Sequence, residues 1–182
     1  MAVVECIPEK SQNPSAQKGV IDYCMQPSKT LDEGEQLAYV SGINCIPELA
    51  NESFLATQKH FGCKAGNVRF YHYVQSFRPE EKLSPQQAHN IGMELAQSFG
   101  NREVIVATHI DRDHLHNHFV VSAYDFETGI LTFKENGAQE SEYFDLNFLE
   151  SAIERAERGG VGEAQRHDSF DADIEWYINQ SQ

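Results

Sequence analysis

A chain of 182 residues fits one domain with a single buried core. It has no apolar run of bilayer length and no basic-then-apolar leader, which argues against membrane insertion and leads us to expect a cytoplasmic protein. A formal charge of −14 excludes a protein that grips nucleic acid over its whole surface, because phosphate contacts need local Lys and Arg.

The acidity is uneven. Residues 1–118 hold ten Lys and Arg against fourteen Asp and Glu, and residues 119–182 hold four against fourteen. A basic face drawn from Lys59, Lys64, Arg69, Arg78, Lys82, Arg102 and Arg112 is therefore compatible with the composition. Cys6, Cys24, Cys45 and Cys63 form no CxxC pair and read as reduced, mostly buried thiols.

In chain order, residues 2–7 form a short β-prone run. Residues 15–26 have helical character and stop before Pro27, since a residue preceding proline leaves the α region. Residues 39–43 are a second short strand, and a helix follows over about 47–61, ended by Gly62. Residues 68–77, rich in aromatic and β-branched side chains, predict a central strand. Tyr71 and Tyr73 are expected on opposite faces of it, with one in the core.

Ser84-Pro85-Gln86-Gln87 combines an N-cap, a first-turn proline and a capping-box Gln. Ala88, Ile91, Leu95, Ala96 and Phe99 then recur at helical spacing. Gly100-Asn101 turns into a strand over 103–109, and another strand from 116 to about 124 is expected to pair with it antiparallel. A strand at 130–133, a helix at 143–158 and an acidic segment at 159–182 complete one domain over 1–182. The whole predicts an α+β fold, a central antiparallel sheet with helices mainly on one face.

Four of the eight histidines lie within ten residues, in His109-Ile110-Asp111-Arg112-Asp113-His114-Leu115-His116-Asn117-His118. On a strand, alternation projects His116 and His118 to one face, and His109 at the end of the neighbouring strand supplies a third nitrogen. Three neutral imidazoles make an open metal site, with Asp111 placed to orient one of them. His114 shares the parity of His116 and His118, so spacing leaves it open as a metal ligand or a solvent-facing loop residue. The other readings of the cluster are a structural zinc site in a non-catalytic binding module, or a surface histidine cluster with no metal.

The same residues resemble the MobP-type relaxases, the family of the agrobacterial T-DNA border endonuclease, within the His-hydrophobic-His endonuclease superfamily. The family's motif His-x-Asp-x-Asp-x-x-His-x-His falls on His109, Asp111, Asp113, His116 and His118. A strand ending in serine before Phe and a proline is similar to Tyr71-His72-Tyr73-Val74-Gln75-Ser76-Phe77-Arg78-Pro79, and a tyrosine in the helix after the first strand is similar to Ile21-Asp22-Tyr23-Cys24-Met25-Gln26-Pro27-Ser28-Lys29-Thr30. Tyr39-Val40-Ser41-Gly42-Ile43-Asn44-Cys45 also resembles family sequence, so the likeness spans roughly 2–124. Asn117 departs from it by replacing the hydrophobic residue between the paired histidines, and Ser122 by standing where relatives commonly carry Asn.

The resemblance implies a relaxase palm of ferredoxin or RRM-like type. It also implies site- and strand-specific nicking of single-stranded or hairpin origin-of-transfer DNA, in conjugation or in mobilisation of a plasmid or integrative element. Tyr23 would form a 5′-phosphotyrosine, Asp111 or Asp113 would accept its proton, and His109, His116 and His118 would hold Mg2+ or Mn2+, with Zn2+ possible in preparations. Accessory mobilisation proteins and a coupling protein would be partners. Whole relaxases are longer, so the chain is expected to be their catalytic domain. For DNA, Arg69, His72, Ser76, Arg78, Lys82 and Arg112 are candidates, with Tyr71, Phe77 or Phe119 stacking on bases. A rolling-circle replication initiator or a single-strand transposase of the same superfamily would use the same groups, but initiators usually place the tyrosine after the histidines.

Overall fold

The computed structural model describes residues 3–112, 114–129 and 131. The helix expected at 143–158, the acidic segment at 159–182, most of the strand at 130–133, and Asp113 lie outside the described residues.

The elements follow one another as β1 (Val3–Ile7), α1 (Pro14–Cys24), α2 (Pro27–Thr30), β2 (Leu31–Asp32), β3 (Leu37–Ala38), β4 (Val40–Ile43), α3 (Ala50–His60), β5 (Phe70–Ser76), α4 (Pro85–Gln97), β6 (Val104–His109) and β7 (His116–Ser122). Five strands form one sheet in the order β1-β5-β7-β6-β4, every neighbouring pair antiparallel. The small β2–β3 hairpin stands apart from it. The fold is α+β.

Local chemistry sets the helix starts. At α1 the Asn13 carboxamide accepts from the backbone N–H groups of Ser15 and Ala16 at 3.0 and 2.9 Å, with Pro14 in the first turn. At α4 the expected capping box is formed in both directions: Ser84 Oγ accepts from Gln87 N–H, and Gln87 Oε1 accepts from Ser84 N–H.

The two-residue period of the strands divides the core into two layers. Phe70, Ile105, Ala107 and Val120 face α1 and α3, packing on Val20, Ile21, Tyr23, Cys24, Ala50 and Phe54. On the other face Tyr73, Val104, Val106, Phe119 and Val121 pack against Leu95, Ala96 and Phe99 of the α4 region. With helices on both faces, every residue of β6 and β7 is buried, which explains their near-continuous apolar runs. Tyr71 and Tyr73 therefore share the α4 face, ring centroids 6.3 Å apart, and do not lie on opposite faces. Phe119 lies in the core of that face and stacks on no base. Among the cysteines, all free, Cys24 is buried and Cys6 exposed.

Behind the histidines, on the α4 face, runs a chain of buried hydrogen bonds. Ser41 Oγ meets His89 Nε2 at 2.8 Å, His89 Nδ1 meets Thr108 Oγ1 at 2.8 Å, and Thr108 Oγ1 donates to Asn117 Oδ1 at 2.6 Å. Asn117 Nδ2 donates to Gln75 Oε1 and to the Ala88 carbonyl at 2.9 and 2.8 Å. Each lone pair meets a donor if His89 is neutral, donates through Nδ1 and accepts through Nε2. This is what Asn117 does where an apolar residue is expected: it ties β5, β6, β7 and α4 together one residue away from the site. Gly92 makes the approach of α4 feasible, because a Cβ there would lie 2.5 Å from Asn117 Nδ2.

Candidate functional site

The β6–β7 register sets His109 directly opposite His116 and Ala107 opposite His118, so three imidazoles converge on the α1 face of the sheet. Ring centroids are 4.2 Å apart for His109 and His118, 5.0 Å for His109 and His116, and 5.1 Å for His116 and His118. All three are buried, and one ligand nitrogen from each lies within 4.8 Å of the others.

Their hydrogen bonds select the nitrogens that face inward. His109 Nε2 donates to the Cys24 carbonyl at 2.9 Å, which leaves the lone pair on Nδ1, and His116 Nδ1 points to the His114 carbonyl at 3.3 Å, which leaves it on Nε2. For His118 the selection comes through a relay. Glu9 Oε1 can only accept, so it takes the Nδ1 proton of His72 at 2.8 Å; His72 Nε2 then accepts from His118 Nδ1 at 2.9 Å. His118 Nε2 is left as a buried acceptor with no hydrogen-bond partner among the described residues. Burial first, then the charges of His109, His72, His116 and Lys29, hold the His118 pKa well below its ordinary value. A neutral imidazole with an orphaned, inward lone pair fits a metal ligand, and the histidine group fits a divalent cation.

The relay is assembled by the loop between β1 and α1. Gln12 pins it to β5, donating to the Phe70 carbonyl at 3.1 Å and accepting from Arg69 N–H at 2.8 Å, and this carries Glu9 over His72. His72 also lies 3.6 Å from Cys24 Sγ, so Cys24, His72 and His118 form a second buried group of metal-ligand type. Burial raises the Cys24 thiol pKa well above its ordinary value.

Tyr23, 5% exposed at the C-terminal end of α1, presents its ring edge-on to His109 and His118, with centroids 5.9 Å from both. Lys29, on the short helix α2, reaches back over it, with Nζ 3.5 Å from Tyr23 Oη and 3.5 Å from Asp111 Oδ2. Asp111 thus meets a lysine ammonium. His114 joins no ligand group among the described residues; its ring centroid is 5.7 Å from that of His116 and its backbone carbonyl faces the His116 ring.

Not every candidate comes to the site. Ser76 does, opposite His116 in the β5–β7 register, and Arg78 and Lys82 come after it in the chain, on either side of the turn Pro79–Glu81. Arg112 is exposed in the loop between His109 and His116. Arg69 sits at the opposite end of β5 from the histidines, its guanidinium donating to Gln58 Oε1 at 2.6 Å. His72 is fully buried beside His118, bonded to it and to Glu9. Tyr39, Tyr71 and Tyr73 are all remote from the histidine face. Tyr39 lies beside His89, and Tyr73 stacks on Phe99. Glu9 and Lys29 were not singled out from sequence. Lys29 had a signal, its place six residues after Tyr23; Glu9 had none.

Residues 23–145 match the relaxase family described as MobA/VirD2-like, nuclease domain. The group II intron-interrupted relaxase LtrB of Lactococcus lactis subsp. cremoris (strain MG1363) is 34% identical over 132 residues, 59% of this chain and 23% of LtrB. Two Protein rlx sequences of Staphylococcus aureus are 40% and 42% identical over 90 residues, 49% of this chain and 28% and 27% of the relatives. The matched stretches are about a quarter of the length of these relatives. Since the family match takes in most of the chain and includes Tyr23 and all three clustered histidines, this chain belongs to the MobA/VirD2-like relaxase family, in its nuclease domain.

Proposed function

We propose that this domain nicks single-stranded origin-of-transfer DNA by transesterification, with Tyr23 as nucleophile, and remains joined to the DNA as a 5′-phosphotyrosine. The observation that carries the reading is the contact of one tyrosine ring with two of the three clustered imidazoles, at 5.9 Å each. Tyr39, Tyr71 and Tyr73 pack elsewhere. His109, His116 and His118 would hold a divalent ion, which would supply Lewis-acid polarisation of the scissile phosphate. Three imidazole donors favour Mn2+ or Zn2+ over Mg2+, which prefers oxygen.

The chain's own residues position and polarise. α1 fixes Tyr23 by burial in the core, so that attack on a phosphate seated at the histidines is effectively intramolecular. Ser76, opposite His116, with Arg78 and Lys82 after it in the chain, would bind the strand as it passes, in a salt-dependent manner. In the transfer, Tyr23 Oη bonds to phosphorus as the bond to the 3′-oxygen breaks, and the proton lost by the phenol is balanced by one gained by the 3′-hydroxyl. Because the phosphodiester count is unchanged, resealing needs no nucleotide cofactor. Partners in the whole protein would be the origin DNA, accessory mobilisation proteins and a coupling protein.

The test is incubation of the protein with Mn2+, Mg2+ or Zn2+ and single-stranded oligonucleotides tiling the DNA that flanks its gene, followed by intact-mass and peptide mass spectrometry. A metal-dependent adduct on the Tyr23 peptide, lost in Tyr23→Phe, is expected. An adduct that persists in Tyr23→Phe would remove the nucleophile assignment, and no cleavage with any ion would favour a non-catalytic binding module.

A further inference from the structure

The geometry points to Lys29 as a catalytic residue: a fixed positive charge beside the Tyr23 oxygen that offsets the negative charge developing there, both when the phenol attacks and when it leaves during resealing. This rests on the transesterification reading above.

The observation is a three-group contact. Lys29 Nζ is 3.5 Å from Tyr23 Oη, 4.8 Å from the centre of the tyrosine ring and 3.5 Å from Asp111 Oδ2. The ammonium is thus equally distant from the phenol oxygen and from the Asp111 carboxylate.

Its position is built by the backbone. Pro27 starts α2 three residues after the end of α1 and turns the chain back over Tyr23. The Lys29 carbonyl accepts from Ile110 N–H at 2.7 Å, which fastens α2 to the loop that carries Asp111. The Lys29 side chain is 13% exposed, so on the side of Tyr23 its charge is screened less than in water, whereas Asp111 faces solvent. Placed this way, Asp111 anchors the lysine.

The chemistry balances without a co-reactant. The Oη–P bond forms and the P–O3′ bond breaks, the tyrosine loses one proton and the departing 3′-hydroxyl carries one, and nothing is oxidised or reduced. Lysine gains and loses nothing; its charge is present throughout. A group that stabilises charge on Oη in the common transition state slows both directions when it is removed. A group that only binds DNA changes affinity.

The experiment compares wild type, Lys29→Met, Lys29→Arg, Asp111→Asn and Lys29→Met/Asp111→Asn, each checked for folding by circular dichroism. It measures single-turnover cleavage at saturating oligonucleotide, resealing of the isolated covalent complex with a 3′-hydroxyl strand, and oligonucleotide affinity as a function of salt. Lys29→Met is expected to slow cleavage and resealing alike, by about 100-fold, the lower end of the range for losing one charge-stabilising donor. Affinity should be nearly unchanged, Lys29→Arg should keep most of the rate, and Asp111→Asn should lose less than Lys29→Met and add nothing to it. Lys29→Met at the wild-type rate would overturn the assignment. So would a loss confined to affinity with the salt slope reduced by about one, which would make Lys29 a phosphate contact. Wild type that cleaves nothing removes the transesterification reading and this inference with it, whereas an active wild type with an indifferent Lys29→Met removes this inference alone.

Discussion

Replacing His72 by Leu should weaken metal binding without touching any of the three clustered imidazoles. His72 takes the Nδ1 proton of His118 at 2.9 Å and passes its own to Glu9 at 2.8 Å. With leucine, His118 Nδ1–H loses its acceptor at a fully buried position, and an unsatisfied buried donor costs about 1–3 kcal/mol. His118 can avoid that cost by rotating or changing tautomer, either of which spoils the inward Nε2 lone pair. Loss of an outer partner of this kind typically weakens metal affinity about 10- to 100-fold, and the leucine variant belongs near the upper end because it removes the acceptor outright. Glu9→Gln belongs near the lower end, since a neutral amide still accepts, though less strongly than a carboxylate. His72→Gln is the informative control: its amide can donate towards Glu9 and accept from His118, and it should recover part of the loss. Titration of metal-free protein with Mn2+ by isothermal calorimetry, with melting curves to verify folding, measures all three. Folded His72→Leu protein that binds Mn2+ as tightly as wild type would refute the relay.

Gly92→Ala should destabilise the protein despite alanine's advantage of about 1 kcal/mol in a helix. The added Cβ would meet Asn117 Nδ2 at 2.5 Å and Val106 Cγ1 at 3.1 Å, displacing the amide that joins β7 to Gln75 and Ala88. Overpacking of about 1–3 kcal/mol therefore equals or exceeds the gain, and urea denaturation followed by circular dichroism should show a lower midpoint; a raised one would show that Asn117 yields freely. Metal-free protein should also lose stability in acid. Burial lowers the folded-state pKa of both His118 and His89, so the unfolded chain binds more protons. The stability they contribute is present above the ordinary histidine pKa, about 6.5, and is lost as pH falls through that value towards the lowered one. A melting temperature that does not fall between pH 7.5 and 5 would contradict it.

Much of the site was legible because it is local. Alternation along residues 116–118 places two imidazoles on one face whatever lies around them, and His109 follows from the antiparallel return of the neighbouring strand. The capping box at Ser84 and Gln87 is equally local, since both partners sit within one helical turn. Their side chains could be placed from neighbours three residues away or fewer. The β2–β3 hairpin and the short helix α2 were missed because two- and four-residue elements carry too few positions for a period to register.

What tertiary structure decided is which distant groups meet the local ones. His72 reads from sequence as a half-buried sheet residue that shares the parity of Ser76, and its hydrogen-bond partners were not visible there. Its partner Glu9 is 63 residues away and reaches it through a loop pinned by Gln12. Lys29 and Asp111 are separated by 82 residues, and the backbone bond between Lys29 and Ile110 brings them together at Tyr23. The two-residue strand period and the chemistry of imidazole determine a metal-type cluster from sequence alone. The proton that each imidazole carries and the charge that stands beside the tyrosine depend on long-range packing, which local sequence rules do not reach.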